Sequence, residues 1–399
     1  MQTIKSKVVN ILLFLFLFFC IYFPVDRFQI VPISFLLICF IERKTLFKIF
    51  TSPKYRPILF FAFFLPIAII LHSTLMSQDP VTSLRASYTP VLVMLVIPIY
   101  EKNYKFRDYL YYLLMGLACI TVLLVFADKL GVFDVNGSNI IRTFVYDTDM
   151  GVMGKSSEYA FYYKVFFKTS PLFVILLYES LRRQEFVVTL LSVLGLLFSG
   201  TRANVLIAIA LVIVFIFKQQ GTSKMSMIIK CLLIFIFALI VVFGGSLIFE
   251  KVKSMMNSQG ATYSDNIRIG TLESYKHLFS HGKNFILGTG MGSEFYNLGR
   301  SAFETTAEMS FIELVRQIGI IYTTLFLFGI LYPLKGHYSI LIKLTFIGYL
   351  LIAATNPLLY STTASIVYIY MYLNFFESEE DRMLPQFKQS NIKGEEYEL

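Results

Sequence analysis

Three charged residues stand at or beside the ends of apolar runs or in a long loop of this chain. They are Arg202 in "FSGTRANVLIAIALVIVF", Arg268 in "YSDNIRIGTLESYKHLF" and Glu308 in "AEMSFIELVRQIGIIYTTLFLFGIL". A guanidinium is planar, forked and permanently charged, which suits it to phosphate. A carboxylate in a partly dry pocket is raised toward the pKa of a useful general base. Each residue also has a plainer reading: Arg202 as an interfacial anchor, Arg268 as a solvated charge, and Glu308 as a helix-start residue favoured by the dipole. Arg142, in "NGSNIIRTFVYDTD", reads first as a solvated charge and second as a further phosphate contact. Glu313 and Arg316 are spaced i, i+3, so an intrahelical ion pair accounts for both.

The elements that position these residues are membrane spans. The chain has 399 residues, of which 56% are hydrophobic and only 15% charged, and its mean hydropathy is +0.67. Those values lie outside the soluble range and indicate an all-α polytopic integral membrane protein. We read about twelve transmembrane helices. Their cores fall near residues 8–23, 28–41, 58–76, 87–100, 109–127, 161–181, 186–198, 203–217, 226–249, 308–332, 338–356 and 362–376. The first lacks a small-x-small cleavage site after it and is expected to be retained. Cys20, Cys39, Cys119 and Cys231 fall in apolar spans, which implies small hydrophobes rather than a disulfide or zinc framework.

Charge distribution suggests an orientation, because short loops on the cytoplasmic side collect Lys and Arg. Alternate connections hold sixteen such residues, from Lys5 and Lys7 through Arg43 to Arg56, Lys102 to Arg107, Arg182, Arg183, Lys218 and Lys224 to Lys335 and Lys343. The opposite short loops hold only Arg27, Arg85 and Arg202. Both termini are therefore expected in the cytoplasm and Arg202 on the outer side. The net charge of +9 is spread over separate inner loops, which argues against a nucleic-acid partner.

This gives N-terminal helices over 1–249 with an outer loop at about 128–160, a helical extracytoplasmic loop over 250–307, C-terminal helices over 308–376, and a polar tail over 377–399. In the late loop a helical pattern near 266–280 leads into "GTGMG". Gly288, Gly290 and Gly292 match neither a dinucleotide fingerprint nor a P-loop, so they are assigned to a tight turn or a close backbone approach. His277 and His281 have i, i+4 spacing but no further ligand in register, so no metal is assigned. His72 and His337 read as interfacial. The 41 Phe and 25 Tyr read as lipid-facing and core bulk, with tyrosines of the outer loops available to stack on sugars.

The layout, with "SGTRAN" at an outer helix start, "NIRIGTLESYKHLFSHGKNFILGTGMG" in a late outer loop and the re-entry "AEMSFIELVRQIGII", resembles the O-antigen ligase and polymerase superfamily. The matching motifs lie between residues 195 and 321, with a weaker match at "RTFVYDTDMGVMGKSSEYA". The resemblance implies a GT-C-like fold and metal-independent, cofactor-free glycosyl transfer at the periplasmic face of a bacterial inner membrane. The implied donor is an undecaprenyl-pyrophosphate-linked oligosaccharide, and a chain-length regulator is an implied partner beside the lipid bilayer. Arg202 and Arg268, joined by Arg142, take the pyrophosphate role, and Glu308 activates the acceptor hydroxyl. The ligases usually carry a His in an "HNxxL"-type pattern where this chain has "AEMSF", so the resemblance leans to the repeat-unit polymerases. A ligase acting on lipid A core, a flippase or transporter, and a purely structural or sensory membrane protein are the alternatives.

Overall fold

The computed structural model describes residues 2–25, 29–155, 163–218 and 259–395. The expected span at 226–249, the start of the late outer loop, Arg27 and Cys231 lie outside the described residues. The first half of the chain forms α1 (Gln2–Tyr22), α2 (Ile30–Ile41), α3 (Pro53–Leu75), α4 (Pro80–Ser87), α5 (Thr89–Lys102) and α6 (Phe106–Lys129). It continues with α7 (Ile140–Asp147), strands β1 (Gly151–Lys155) and β2 (Tyr163–Phe167), α8 (Phe173–Arg183), α9 (Phe186–Phe198) and α10 (Arg202–Lys218). After the break come α11 (Gln259–Phe279), α12 (Gly282–Leu287), β3 (Phe295–Asn297), β4 (Ala302–Glu304), α13 (Ser310–Leu331), α14 (Ile340–Ala354) and α15 (Thr362–Glu395).

Four stretches are long and apolar enough to cross a bilayer: α1 from Ile4, α3, α6, and α13 with the turn that follows it to Lys335. A fifth arises if α4 and α5, bent by 50° at their junction, count as one broken span. Helices α2, α9, α10 and α14 are apolar but shorter, below the ~20 residues that a straight crossing requires. The described residues thus hold an apolar helical bundle suited to a membrane, with fewer full-length spans than the twelve expected.

The expected span at 161–181 is split. Its first part, Tyr163–Phe167, is the strand β2, paired antiparallel with β1 in the register Gly151↔Phe167 and Met153↔Val165. Burial alternates along β2, with Tyr163, Val165 and Phe167 inward and Lys164 outward. That period of two, with aromatic and β-branched residues, favours a strand over a helix. After a 3-10 turn at Ser170–Leu172, α8 is the α-helix among the described residues of that region, and it has 11 residues.

Helix α15 is the axis of the bundle. Every residue from Thr362 to Leu373 is buried, as expected of a helix enclosed on all faces. Its tyrosines explain how polar atoms survive there: Tyr368 donates to the carbonyl of Leu359 at 2.9 Å, Tyr370 to Glu179 at 2.5 Å and Tyr372 to the carbonyl of Gly329 at 2.8 Å. Around this axis the outer helices turn large apolar side chains outward, among them Phe40, Leu71, Leu123, Val187 and Leu206, each more than 60% exposed. Such a surface is stable facing lipid and not water.

The bundle has two polar ends. At one, Lys5 pairs with Glu42 at 2.9 Å, Lys48 with Glu101 at 2.5 Å, Arg107 with Glu377 at 2.7 Å and Arg183 with Asp108 at 3.4 Å. Cations from four separate segments thus share this end, hereafter the basic end. At the other, Thr169 donates to the carbonyl of Ile21, Thr362 to that of Pro24, and Thr89 to that of Tyr360, tying the helix ends beneath β1, β2 and the late loop. Glu42 is 1% exposed and accepts from Lys5, from Thr45 at 2.8 Å and from Tyr104 at 2.8 Å. Burial opposes its ionisation, but these bonds outweigh it and hold the carboxyl below its usual range.

A depressed pKa means that this contribution is present above the ordinary carboxylate range and is lost as pH falls through the folded value. Glu42→Gln is therefore expected to lower stability at neutral pH by about 1–2 kcal/mol. The gap to wild type should close below about pH 4, as followed by thermal unfolding in detergent.

Candidate functional site

The late loop folds into a small cap, and close backbone contact sets its geometry. A Cβ added to Gly270 of α11 would lie 2.5 Å from the Cα of Gly299, in the turn between β3 and β4. Thr271 donates to Asn297 at 2.9 Å and the amide of Leu298 donates to Ser274 at 2.8 Å, so the hairpin is fastened flat on α11. Tyr275 stacks on Phe295, with ring centroids 5.5 Å apart, and both pack on Ala307.

This docking brings Arg268 of α11 and Arg300 of the hairpin turn onto one carboxylate. Arg268 Nε lies 3.2 Å from Glu308 Oε2, and Arg300 Nη2 lies 3.6 Å from Glu308 Oε1. Arg300 Nη1 also lies 3.3 Å from Glu304. The Arg268, Arg300 and Glu308 side chains are 39%, 45% and 31% exposed, so the cluster faces solvent and an approaching ligand can reach it. Glu308 lies two residues before α13 and its carboxylate partners are guanidiniums. Its surroundings are wetter and more cationic than the partly dry pocket of the general-base reading, and its place just before α13 also fits the helix-start reading.

Beneath the cluster lies a buried network. Arg316 is 0% exposed and pairs with Glu313 at 2.7 Å, the i, i+3 bridge expected from spacing. It also donates to Ser293 Oγ at 2.8 Å, to the carbonyls of Ser293 and Thr305 at 3.1 and 3.0 Å, and to Thr289 Oγ1 at 3.2 Å. Its guanidinium carbon is 4.4 Å from the centroid of the Phe295 ring. Gln317 at 2.6 Å and Tyr275 at 2.8 Å donate to the same Glu313 carboxylate. Burial, reinforced by Glu313, raises the Tyr275 pKa and keeps the phenol protonated as a donor.

The glycine loop completes this layer. Helix α13 is broken at Gly319, which has φ 72° and ψ 168°. The amides of Thr289 and Gly290 donate to the carbonyls of Arg316 and Gln317, both at 2.8 Å, beside that break. Gly288, Gly290 and Gly292 all have positive φ, and a Cβ on Gly288 would lie 2.5 Å from the amide of Gly319. The expected close backbone approach is thus to a helix break within the protein, where irregular backbone at the membrane is tolerated. From the other side, Ser73 accepts from the amide of Met291 at 2.8 Å and Gln78 donates to the carbonyl of Thr289 at 3.3 Å. His72, near the end of α3, bonds the carbonyl of Leu287 at 2.5 Å and is buried in this junction.

The remaining sequence candidates lie apart from this cluster or outside the description. Arg202 opens α10, and its side chain is not among the described residues. Just before it, Gly200 has φ 70° and approaches β2 at Tyr163 and Lys164, which places the "SGTRAN" turn at the end of the bundle that carries the hairpins. Arg142 donates to the carbonyls of Asn136 and Gly137 in its own loop and lies over the Tyr146 ring at 5.4 Å. It joins none of the ion pairs among the described residues. His277 and His281 are exposed, and among the described residues no three His, Cys, Asp or Glu side chains form a metal-binding group.

The chain matches no protein-family model, no curated protein and no solved structure. Arg300 escaped the sequence reading, although "LGRSAFE" places it eight residues before Glu308, in the turn of a short hairpin.

Removing one partner of a buried ion pair strands the other charge. Arg316→Met is therefore expected to destabilise the protein by ~3–5 kcal/mol, and Arg316→Met combined with Glu313→Leu to recover much of that loss. Thermal unfolding of both variants in detergent checks this; a double variant no better than the single one contradicts it.

Proposed function

We propose that the chain is a membrane glycosyltransferase that polymerises lipid-linked glycan repeats on the outer face of a bacterial inner membrane. The observation that carries this reading is the convergence of Arg268 and Arg300 on Glu308 at the capped end of an apolar helical bundle. The donor is a glycan on undecaprenyl pyrophosphate, and the acceptor is the terminal sugar hydroxyl of a second lipid-linked repeat. The donor pyrophosphate competes with the Glu308 carboxylate for the guanidiniums, because phosphate matches their forked donors. Displaced from them, Glu308 takes the proton of the attacking hydroxyl. The glycosidic oxygen–carbon bond forms as the anomeric carbon–phosphate oxygen bond breaks, and the negative charge that grows on the lipid pyrophosphate is stabilised by Arg268 and Arg300, with Arg202 as the third cation of the site. Both termini are then cytoplasmic, and the gathering of Lys5, Lys48, Arg107 and Arg183 at the basic end supports that orientation.

A second reading, transport of a lipid-linked glycan, is favoured by the break of α13 at Gly319 and the 50° bend between α4 and α5, since broken helices are common in transporters. Polymerisation is preferred because the charged cluster lies in the cap, at one end of the bundle.

Incubating purified protein with a defined lipid-linked repeat separates the readings: a ladder of longer products supports polymerisation, and unextended substrate rules it out. Arg268→Ala is expected to lower the rate of extension by ~10²–10³-fold. Glu308→Gln is expected to remove the dependence on a basic group from the pH–rate profile, with a loss of ~10²–10⁴-fold. Full-length product from either variant at the normal rate contradicts the assignment of that residue.

A further inference from the structure

The basic end carries a second feature that glycan chemistry does not use. Helix α3 begins with Pro53, Arg56 and Pro57, and runs as π-helix from Leu59 to Phe64. There it meets α13 closely, since a Cβ on Gly329 would collide with the Phe61 ring. Beside this contact a cleft of about 330 Å³ opens, lined by Arg56, Phe60, Phe328, Gly329, Tyr332 and Tyr372. Its volume is at the small end of the range of ~300–1,000 Å³ for ligand sites, enough for part of one acyl chain. Phe328 is 55% exposed at its rim, on the surface expected to face lipid.

Two cations flank this apolar space. Arg56 is one of its lining residues and is exposed. Lys335, in the turn after α13, holds its Nζ 4.7 Å from the centroid of the Tyr332 ring and 5.4 Å from that of Phe328, so it sits over two of the cleft's walls. Among the described residues neither is ion-paired, whereas Lys5, Lys48, Arg107 and Arg183 at the same end each have a carboxylate. A basic rim over an apolar slot between spanning helices matches an amphiphile with an anionic head. The cleft is at the end of the bundle opposite Arg268 and Glu308, so its ligand is distinct from the lipid-linked glycan.

We propose that this cleft holds one anionic phospholipid of the adjoining leaflet, with its phosphate between Arg56 and Lys335 and an acyl chain against Phe60, Phe328 and Tyr332. The site fastens the start of α3 to the end of α13 through a shared ligand. This inference does not rest on the proposed glycosyltransferase activity, and its test needs no turnover.

Native mass spectrometry of the full chain in detergent, with added dioleoyl phosphatidylglycerol or dioleoyl phosphatidylcholine, counts the lipid retained. Wild type is expected to retain one phosphatidylglycerol about tenfold more strongly than phosphatidylcholine. The Arg56→Ala, Lys335→Ala double variant is expected to lose that preference. A Lys7→Ala, Lys102→Ala double variant, which removes equal charge from other exposed sites at this end, should keep it. Equal retention of the two lipids by wild type, or equal behaviour of the two double variants, overturns the proposal. Thermal stabilisation by phosphatidylglycerol, confined to wild type and the control variant, gives an independent reading.

Discussion

A single buried guanidinium organises the capped end. Arg316 is fully enclosed, and its donors are met by one carboxylate, two hydroxyls and two carbonyls drawn from α13, the glycine loop with Ser293 at its end, and Thr305 just after β4. A charge removed from water in this way is tolerated only if every donor is satisfied, so each partner segment is confined to the place where it supplies its oxygen. Glu308 owes its position to that constraint, because the chain from Thr305 to Ser310 runs directly from one Arg316 contact into the helix that bears Arg316. The exposed cluster and the buried network are therefore two levels of one construction.

The membrane character of the chain was legible because apolar composition is a property of whole segments and survives any arrangement. The arrangement itself was not. "TTASIVYIYMYLNFF" and "IVPISFLLICFI" are both apolar, yet the first is the enclosed axis and the second lies at the periphery with Leu36, Leu37 and Phe40 exposed. Hydropathy reports the preference for a non-aqueous setting and does not distinguish lipid from protein. The strand Tyr163–Phe167 was absorbed into an apolar run because five residues are too few to outweigh the windows on which span reading depends.

At the candidate site, residue type was legible and partnership was not. Charge type, place along the chain and the family resemblance singled out Arg268 and Glu308, forty residues apart, without information on whether they meet; they do so because α11 and the β3–β4 turn press together. Glu313 and Arg316 show the converse. Their i, i+3 spacing explained them so well as a local pair that the long-range role of Arg316 was hidden, since its other partners lie 11 to 27 residues away. Glycines 288, 290 and 292 were visible as turn formers, while their surroundings were not: Gly288 abuts a break inside an apolar helix that no periodicity marks, and Gly290 and Gly292 face Gln78 and Thr82.

The contact between Gly270 and Gly299 sets the spacing of the exposed charges without any intervening side chain. Elsewhere, helix and hairpin separations depend on the volume of the residues between them and drift when those residues are exchanged. Here the limit is backbone against backbone, so the span between the attachment points of Arg268 and Arg300 acts as a fixed ruler, and substitutions around it can alter which ligand is gripped far more readily than how wide the grip is.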